Sequence, residues 1–499
     1  MTDTNGMTAA QLHARLGQPV VDADGHWLEF GPYVRDQMRR IGGDAALEGY
    51  TLYSGHVERT LTLTSDERRR LGITPPPWWG LPAKNTLDRA TGMMPALLRS
   101  RMDELGLDFT VLYPTAGLLM LRNSDARTRR AAIRAYNIFC AEYFGRYSDR
   151  MTPVAVIPMH TPEEAVEELE FTTRQLGLKA VLLGSMVQRR KDVSAPAGDS
   201  AVWLDLIGMD SLYDYDPVWA KCVELKVSPT FHGGSRGLGM RMSPSNFAFN
   251  HIGHFAAAQE AVCKALFIGG VTRRFPSLKF AFLEGGVGWA CQLFADLLGH
   301  WEKRNLRALD ALNPANIDVA LLKRLAGEFA PADFAEALTQ PGAHLDVVFS
   351  PASAALTPGN PDLDDFAACR ISRAEDLRDL FVPHFYFGCE ADDRINAWAF
   401  DRRKNPFDSQ LHAIFSSDIG HFDVPHMNQV LNEAYELVED GLMDKRDFRQ
   451  FVFSNAVRFF GEQNPDFFKG TAVESAAVAL LDEERGNHGG SGQGLRATA

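Results

Sequence analysis

The ten residues Val20-Val21-Asp22-Ala23-Asp24-Gly25-His26-Trp27-Leu28-Glu29 concentrate metal-ligand chemistry. Their β-branched entry reads as a short strand, and alternate side chains of a strand share a face, so Asp22, Asp24 and His26 point the same way. Carboxylates and an imidazole converging at a strand end are costly to bury unless a cation neutralises them. Taken alone, the segment also reads as a polar turn. Three later apolar runs, however, end in the same kind of residue: His232 after Val227 to Phe231, Glu284 after Lys279 to Leu283, and Asp418 after His412 to Ser417. Such a set serves divalent-cation chemistry, in which a metal polarises a carbonyl or activates water. Asp22 reads as an inner structural acid below the plane of the ligands.

Bringing these residues to one rim requires a particular arrangement of elements. Eight strands are expected: the one carrying Asp24, then Phe109–Tyr113, Met151–Met159, Lys179–Leu183, Val227–His232, Lys279–Glu284, His384–Glu390 and His412–Asp418. They are continuous apolar runs, as in strands covered on both faces. Helices start between them with recognisable signals. Thr161-Pro162-Glu163-Glu164 supplies an N-cap and a proline at the first helical position, and Asp216-Pro217 opens another helix in the same manner. Alternating strands and helices in this number predict a (β/α)8 TIM barrel, whose working face lies at the strand C-termini.

The 499 residues, 45% hydrophobic and 23% charged, suit one large barrel domain with insertions. The formal net charge of −13 argues against general binding to nucleic acid or anionic membranes. No apolar run approaches a membrane span, and the N-terminus lacks the charged and apolar regions of a signal peptide. Six scattered cysteines without a Cys-x-x-Cys pair fit free thiols in a cytoplasmic setting. Residues 1–17 read as a flexible N-terminus, 18–465 as the barrel, and 466–499 as an extension whose Gly-rich end, from Arg485, reads as disordered. Insertions are expected at about 30–100, 185–215 and 307–380, long enough to serve as lids or as contacts in a homodimer. The first holds Pro75-Pro76-Pro77-Trp78-Trp79, read as a substrate lid or a packing plug. The second holds Arg189-Arg190-Lys191, read as a solvated loop or a phosphate contact.

Asp24-Gly25-His26, Thr230-Phe231-His232-Gly233-Gly234 and Ser416-Ser417-Asp418-Ile419-Gly420-His421 resemble the metal motifs of the amidohydrolase-2 group, which includes aminocarboxymuconate-semialdehyde decarboxylase-like enzymes. Gly270 to Lys279 is similar to that group's connector into the sixth strand, and Asn455-Ala456 to its closing helix. The resemblance spans roughly 18–300 and 380–462. Two departures stand out: Asp24-x-His26 replaces the usual His-x-His, and Glu284-Gly285-Gly286 occupies a strand end where those decarboxylases place a histidine. Glu29 adds a carboxylate, and Asn250-His251-Ile252-Gly253-His254 adds two imidazoles. So many carboxylates around one divalent ion leave a surplus of buried negative charge. Mixed oxygen and nitrogen donors also suit iron or manganese pairs.

Two functions follow. The Asp-x-His-x-x-Glu start, the Asn-His-x-x-His helix and the Leu-Glu-Gly-Gly strand end resemble TIM-barrel non-haem di-iron monooxygenases of the platensimycin/platencin-biosynthesis type. That resemblance implies two irons per chain shared by Asp24, His26, Glu29, His232, His251, His254, Glu284 and Asp418. It also implies O2, an external electron donor and a small organic substrate of secondary metabolism, coenzyme A-linked or terpenoid. The alternative is a mononuclear Zn- or Mn-dependent hydrolase or decarboxylase. There, Asp24, His26, His232 and Asp418 hold the metal and Glu284 is the general acid/base.

Overall fold

In the computed structural model, the described residues are 6–74, 81–190, 202–234, 243–345 and 363–490. Eight strands form one all-parallel sheet: β1 (Val21–Trp27), β2 (Phe109–Pro114), β3 (Met151–Ile157), β4 (Ala180–Leu183), β5 (Pro229–Phe231), β6 (Phe280–Phe282), β7 (Phe385–Glu390) and β8 (His412–Ser416). They pair in sequence order from β1 to β8, and each coincides with one of the apolar runs named above. All seven residues of β1 and of β3 are buried, as expected of strands packed on both faces. The eight parallel strands curve into a nearly closed TIM barrel.

The seam between β8 and β1 is closed by side chains as much as by backbone. Asp418 N–H donates to the Asp24 carbonyl (3.2 Å). The Asp22 carboxylate accepts from Ser417 N–H (2.9 Å) and Ser417 Oγ (2.7 Å), from Thr110 Oγ1 on β2 (2.7 Å), and from Asp24 N–H (3.2 Å). Asp22 therefore ties together the backbones that present Asp24 and Asp418. Gly25 makes this possible: a Cβ there would stand 2.4 Å from Asp22 Oδ2 and 2.6 Å from Thr110 Oγ1. The β1–β2 register shifts between Asp22 and Gly25, a bulge of the kind that re-aims side chains beside a site.

The helix starts follow the sequence signals in one case and part from them in the other. The Thr161 hydroxyl caps the helix Pro162–Glu170 by accepting from Glu164 N–H (3.2 Å). Asp216 opens Asp216–Leu225 without a side-chain cap and instead takes a two-pronged ion pair from Arg274 (2.7 and 2.9 Å).

The described segment between β1 and β2 is largely helical. Its longest helix, Gly31–Thr62, packs on Ala126–Phe144 so closely that a Cβ on Gly42 would meet Ala135 and one on Gly49 would meet Ala132. That helix thickens the barrel wall. Further along, Leu28 N–H donates to the Gly92 carbonyl (2.7 Å), so the helix Thr86–Met93 abuts the rim. Buried Asp88 accepts from Arg101 Nη1 (2.7 Å) and from Met427 N–H (2.8 Å), bracing the loop after Asp418. Asp88→Ala is expected to cost about 3 kcal/mol, the low end for breaking a buried ion pair, because Glu104 still holds the Arg101 guanidinium. Urea unfolding measures it, and a loss within 0.5 kcal/mol, about the size of an ordinary surface change, would mean that Asp88 braces nothing.

Between β4 and β5, Val187–Arg190 pairs antiparallel with Val202–Asp205. Arg189 is neither solvated nor free for a phosphate, since it binds Asp205 (2.9 Å), the His160 carbonyl (2.6 Å) and the Tyr215 hydroxyl (2.7 Å). Trp78, Trp79 and Lys191 lie outside the described residues. At the other end of the chain a helix runs Glu474–Gly490. None of the described helices is long and apolar enough to cross a membrane.

Candidate metal centre

Five sequence-predicted residues converge at the C-terminal rim. His26 Nε2 lies 3.1 Å from His232 Nε2, 3.6 Å from both Asp24 Oδ1 and Asp418 Oδ1, and 3.7 Å from Glu284 Oε2. His232 Nε2 lies 2.8 Å from Glu284 Oε2 and 3.7 Å from Asp24 Oδ1. Each of these side chains is at most 3% exposed. Ligands about 2.1 Å from one ion stand roughly 3.0–3.4 Å apart at octahedral to tetrahedral angles; the donors here fall into two groups that share His26, namely Asp24, His26 and His232, and His26, Glu284, Asp418 and His421, with the donor atoms of each group all within 4.8 Å of one another.

The supporting elements explain the convergence. Gln259 Nε2 donates to the carbonyls of Phe231 (3.1 Å) and Leu283 (3.2 Å), fixing the two strand ends from which His232 and Glu284 project. Tyr113 stacks on the His232 ring at 5.6 Å and donates to Thr230 Oγ1 (3.0 Å). Glu284 (φ +58) and Asp418 (φ +47) adopt left-handed backbone conformations. For non-glycine residues each costs of order 1–3 kcal/mol and tends to mark a functional site.

The electrostatics call for a cation. Burial pushes Asp24, Glu284 and Asp418 well above the usual carboxylate range. Neighbouring acids add to this: Glu284 on Asp24, Asp423 on Glu284, and both Glu284 and Asp423 on Asp418. Burial and adjacent imidazoles hold His26 and His421 well below the usual histidine range, in the neutral form that ligates metals. Asp24 Oδ1, Glu284 Oε2 and both Asp418 carboxylate oxygens are buried without a hydrogen bond. Orphaned oxygens beside neutral imidazoles fit a divalent metal.

His421 joins these residues, although it was not among the ligands expected from sequence. Its ring lies 3.9 Å from that of His26. Because the Thr115 hydroxyl donates to the Trp27 carbonyl (3.0 Å), it accepts from His421 Nε2–H (3.0 Å). That tautomer leaves the His421 Nδ1 lone pair 2.5 Å from Asp418 Oδ1, two acceptors that need a proton or a cation between them. The signal in the sequence was the spacing Asp418-x-x-His421.

Three predicted ligands do not join. Glu29 turns away from the cluster: its carboxylate accepts from Ala116 N–H (2.9 Å), Gly117 N–H (2.7 Å) and the Tyr136 hydroxyl (2.7 Å), which occupies both oxygens. His254 is buried with its ring 4.0 Å from Phe255, and a Cβ on Gly234 would stand 1.8 Å from its Nδ1. His251 lines a cavity beside Glu284 without being one of the converging groups. Glu390, Asp393 and Asp423 line the same cavity, and burial together with nearby acids pushes Glu390 up to about 8.

A metal-ligand cluster on the C-terminal rim of a (β/α)8 barrel defines the class of protein. The amidohydrolase family model (amidohydrolase-2) matches residues 21–344, about two-thirds of the chain, and the chain belongs to that family. Among similar solved structures, an amidohydrolase from Mycobacterium avium subsp. paratuberculosis K-10 is 19% identical, with 75% of this chain and 76% of that one covered and a TM-score of 0.45. A 2,6-dihydroxybenzoate decarboxylase from Rhizobium is 14% identical (89% and 98% covered, TM-score 0.45). A manganese-bound 5-carboxyvanillate decarboxylase from Novosphingobium aromaticivorans DSM 12444 is 12% identical (90% and 98%, TM-score 0.47). The match is to amidohydrolases, and it gives no support to the di-iron monooxygenase expected from sequence.

Proposed function

We propose that the chain is a metal-dependent enzyme that hydrolyses or decarboxylates a small organic substrate around one divalent cation, zinc or manganese. The convergence of donor atoms from Asp24, His232 and Asp418 on His26 Nε2, each within 3.6 Å of it, carries this reading. Those four residues would hold the cation, with His421 Nδ1 beside Asp418. A cation bound there supplies Lewis-acid polarisation of a carbonyl or of an attacking water. Glu284 is the proton carrier. Its carboxyl is buried at the junction of the metal cluster and the cavity, and burial raises its affinity for a proton towards that of a general acid/base. Tyr113, Gln259 and Asp22 hold the ligands in place. Chelator-stripped protein reloaded with Zn2+ or Mn2+ should turn over a hydrolase and decarboxylase substrate panel under strict exclusion of O2 and reductant. Turnover that depends on both O2 and an electron donor would overturn the reading.

One observation favours a second reading, oxygen activation by two irons. Asp423 acts on both Glu284 and Asp418, so a second cation in the cavity would find donors in Glu284, Asp423 and His251. This version requires O2 and an external electron donor, and it keeps a coenzyme A-linked or terpenoid substrate open.

A further inference from the structure

The cavity beside Glu284 has a volume of about 320 Å3, at the small end for ligand pockets and suited to a one-ring molecule. Its walls combine two features that recognise the same chemistry. Glu284, Glu390, Asp393 and Asp423 supply four carboxylates, and Phe255 and Phe422 supply aromatic surface. Among its described lining residues there is no lysine or arginine. Carboxylates attract a positive charge, and aromatic faces attract the same charge through their quadrupole.

Two further details concern the cavity wall. Glu284 joins the cavity to the metal cluster, its Oε2 buried without a hydrogen bond and 2.8 Å from His232 Nε2. Gly286 keeps the way to Asp393 open: it has φ +65, and a Cβ on it would stand 3.1 Å from Asp393 Oδ2.

We propose that this cavity selects organic cations. A basic nitrogen of the substrate (ammonium, amidinium or guanidinium) lies among Glu390, Asp393 and Asp423 and against Phe255 and Phe422, with the reacting carbon towards Glu284. The inference rests on the one-cation reading above and narrows its substrates to positively charged molecules, away from carboxylic acids.

Benzamidine, benzamide and benzoate share one ring and carry charges of opposite sign or none. Each would be titrated calorimetrically into the Mn2+-loaded full-length protein and into its Glu390→Gln/Asp393→Asn variant. Benzamidine should bind at least tenfold tighter than benzamide, with benzoate weakest. In the variant that margin should fall to threefold or less while metal content stays unchanged. Glu390→Gln alone carries the same comparison if the double variant does not fold. Benzoate binding tightest, equal binding of all three, no heat with benzamidine, or an undiminished margin in the variant would overturn the inference and leave the metal reading standing. Uptake of two Mn2+ per chain, one of them lost in the variant, would assign these acids to a metal and overturn both.

Discussion

Glu284→Gln lowers turnover by about 10²- to 10⁴-fold, the contribution of a positioned general acid/base, while the metal content stays at its wild-type level. Glutamine keeps the shape of the side chain at the φ +58 position, so the strand end and the cavity wall are retained and only the proton-carrying oxygen is lost. The metal-free variant should also be no less stable than the metal-free parent. It removes one member of a buried cluster in which Glu284 acts on both Asp24 and Asp418, and dispersing like charges relieves repulsion. Single-turnover kinetics, metal analysis and thermal unfolding read the three effects separately. Unchanged turnover would remove Glu284 from the chemistry, and loss of the ion along with turnover would make it a ligand.

His26→Ala should abolish both metal binding and activity. Its Nε2 is the hub of the cluster, within 3.7 Å of donor atoms from Asp24, His232, Glu284 and Asp418. Losing a direct ligand exceeds the roughly 10–100-fold cost in metal affinity of losing an outer partner. The signature is a lost linkage. Metal at a hundredfold excess over its dissociation constant stabilises the parent by about 2.7 kcal/mol, whereas the variant should show no metal-dependent rise in its unfolding temperature. A variant that still gained stability from Zn2+ or Mn2+ would place the cation elsewhere.

The eight strands were legible because each is an apolar run, and their order in the sheet is their order in the chain. Asp24, His26, His232, Glu284 and Asp418 were legible for the same reason: each sits at or just past the end of such a run. Glu29 was misread because spacing along a strand was extended beyond the strand. β1 ends at Trp27, the chain turns as Leu28 binds Gly92, and Glu29 then meets Tyr136 and the backbone after β2. His251 and His254 share a sequence motif, yet a helix break at Ile252 and Gly253 separates them, one onto the cavity wall and one against Phe255. Nothing local in the sequence shows that Glu390 and Asp423 face Glu284, because they follow different strands and meet only when the barrel curves. Asp22, in contrast, was placed below the ligands by strand alternation alone, where its four hydrogen bonds now stand.

Metal content per chain, measured by plasma mass spectrometry on protein purified without chelators from cells supplied with iron, zinc and manganese, tests the central claim most directly. The account predicts about one divalent ion per chain, zinc or manganese, lost in His26→Ala and kept in Glu284→Gln. About two irons per chain would contradict it.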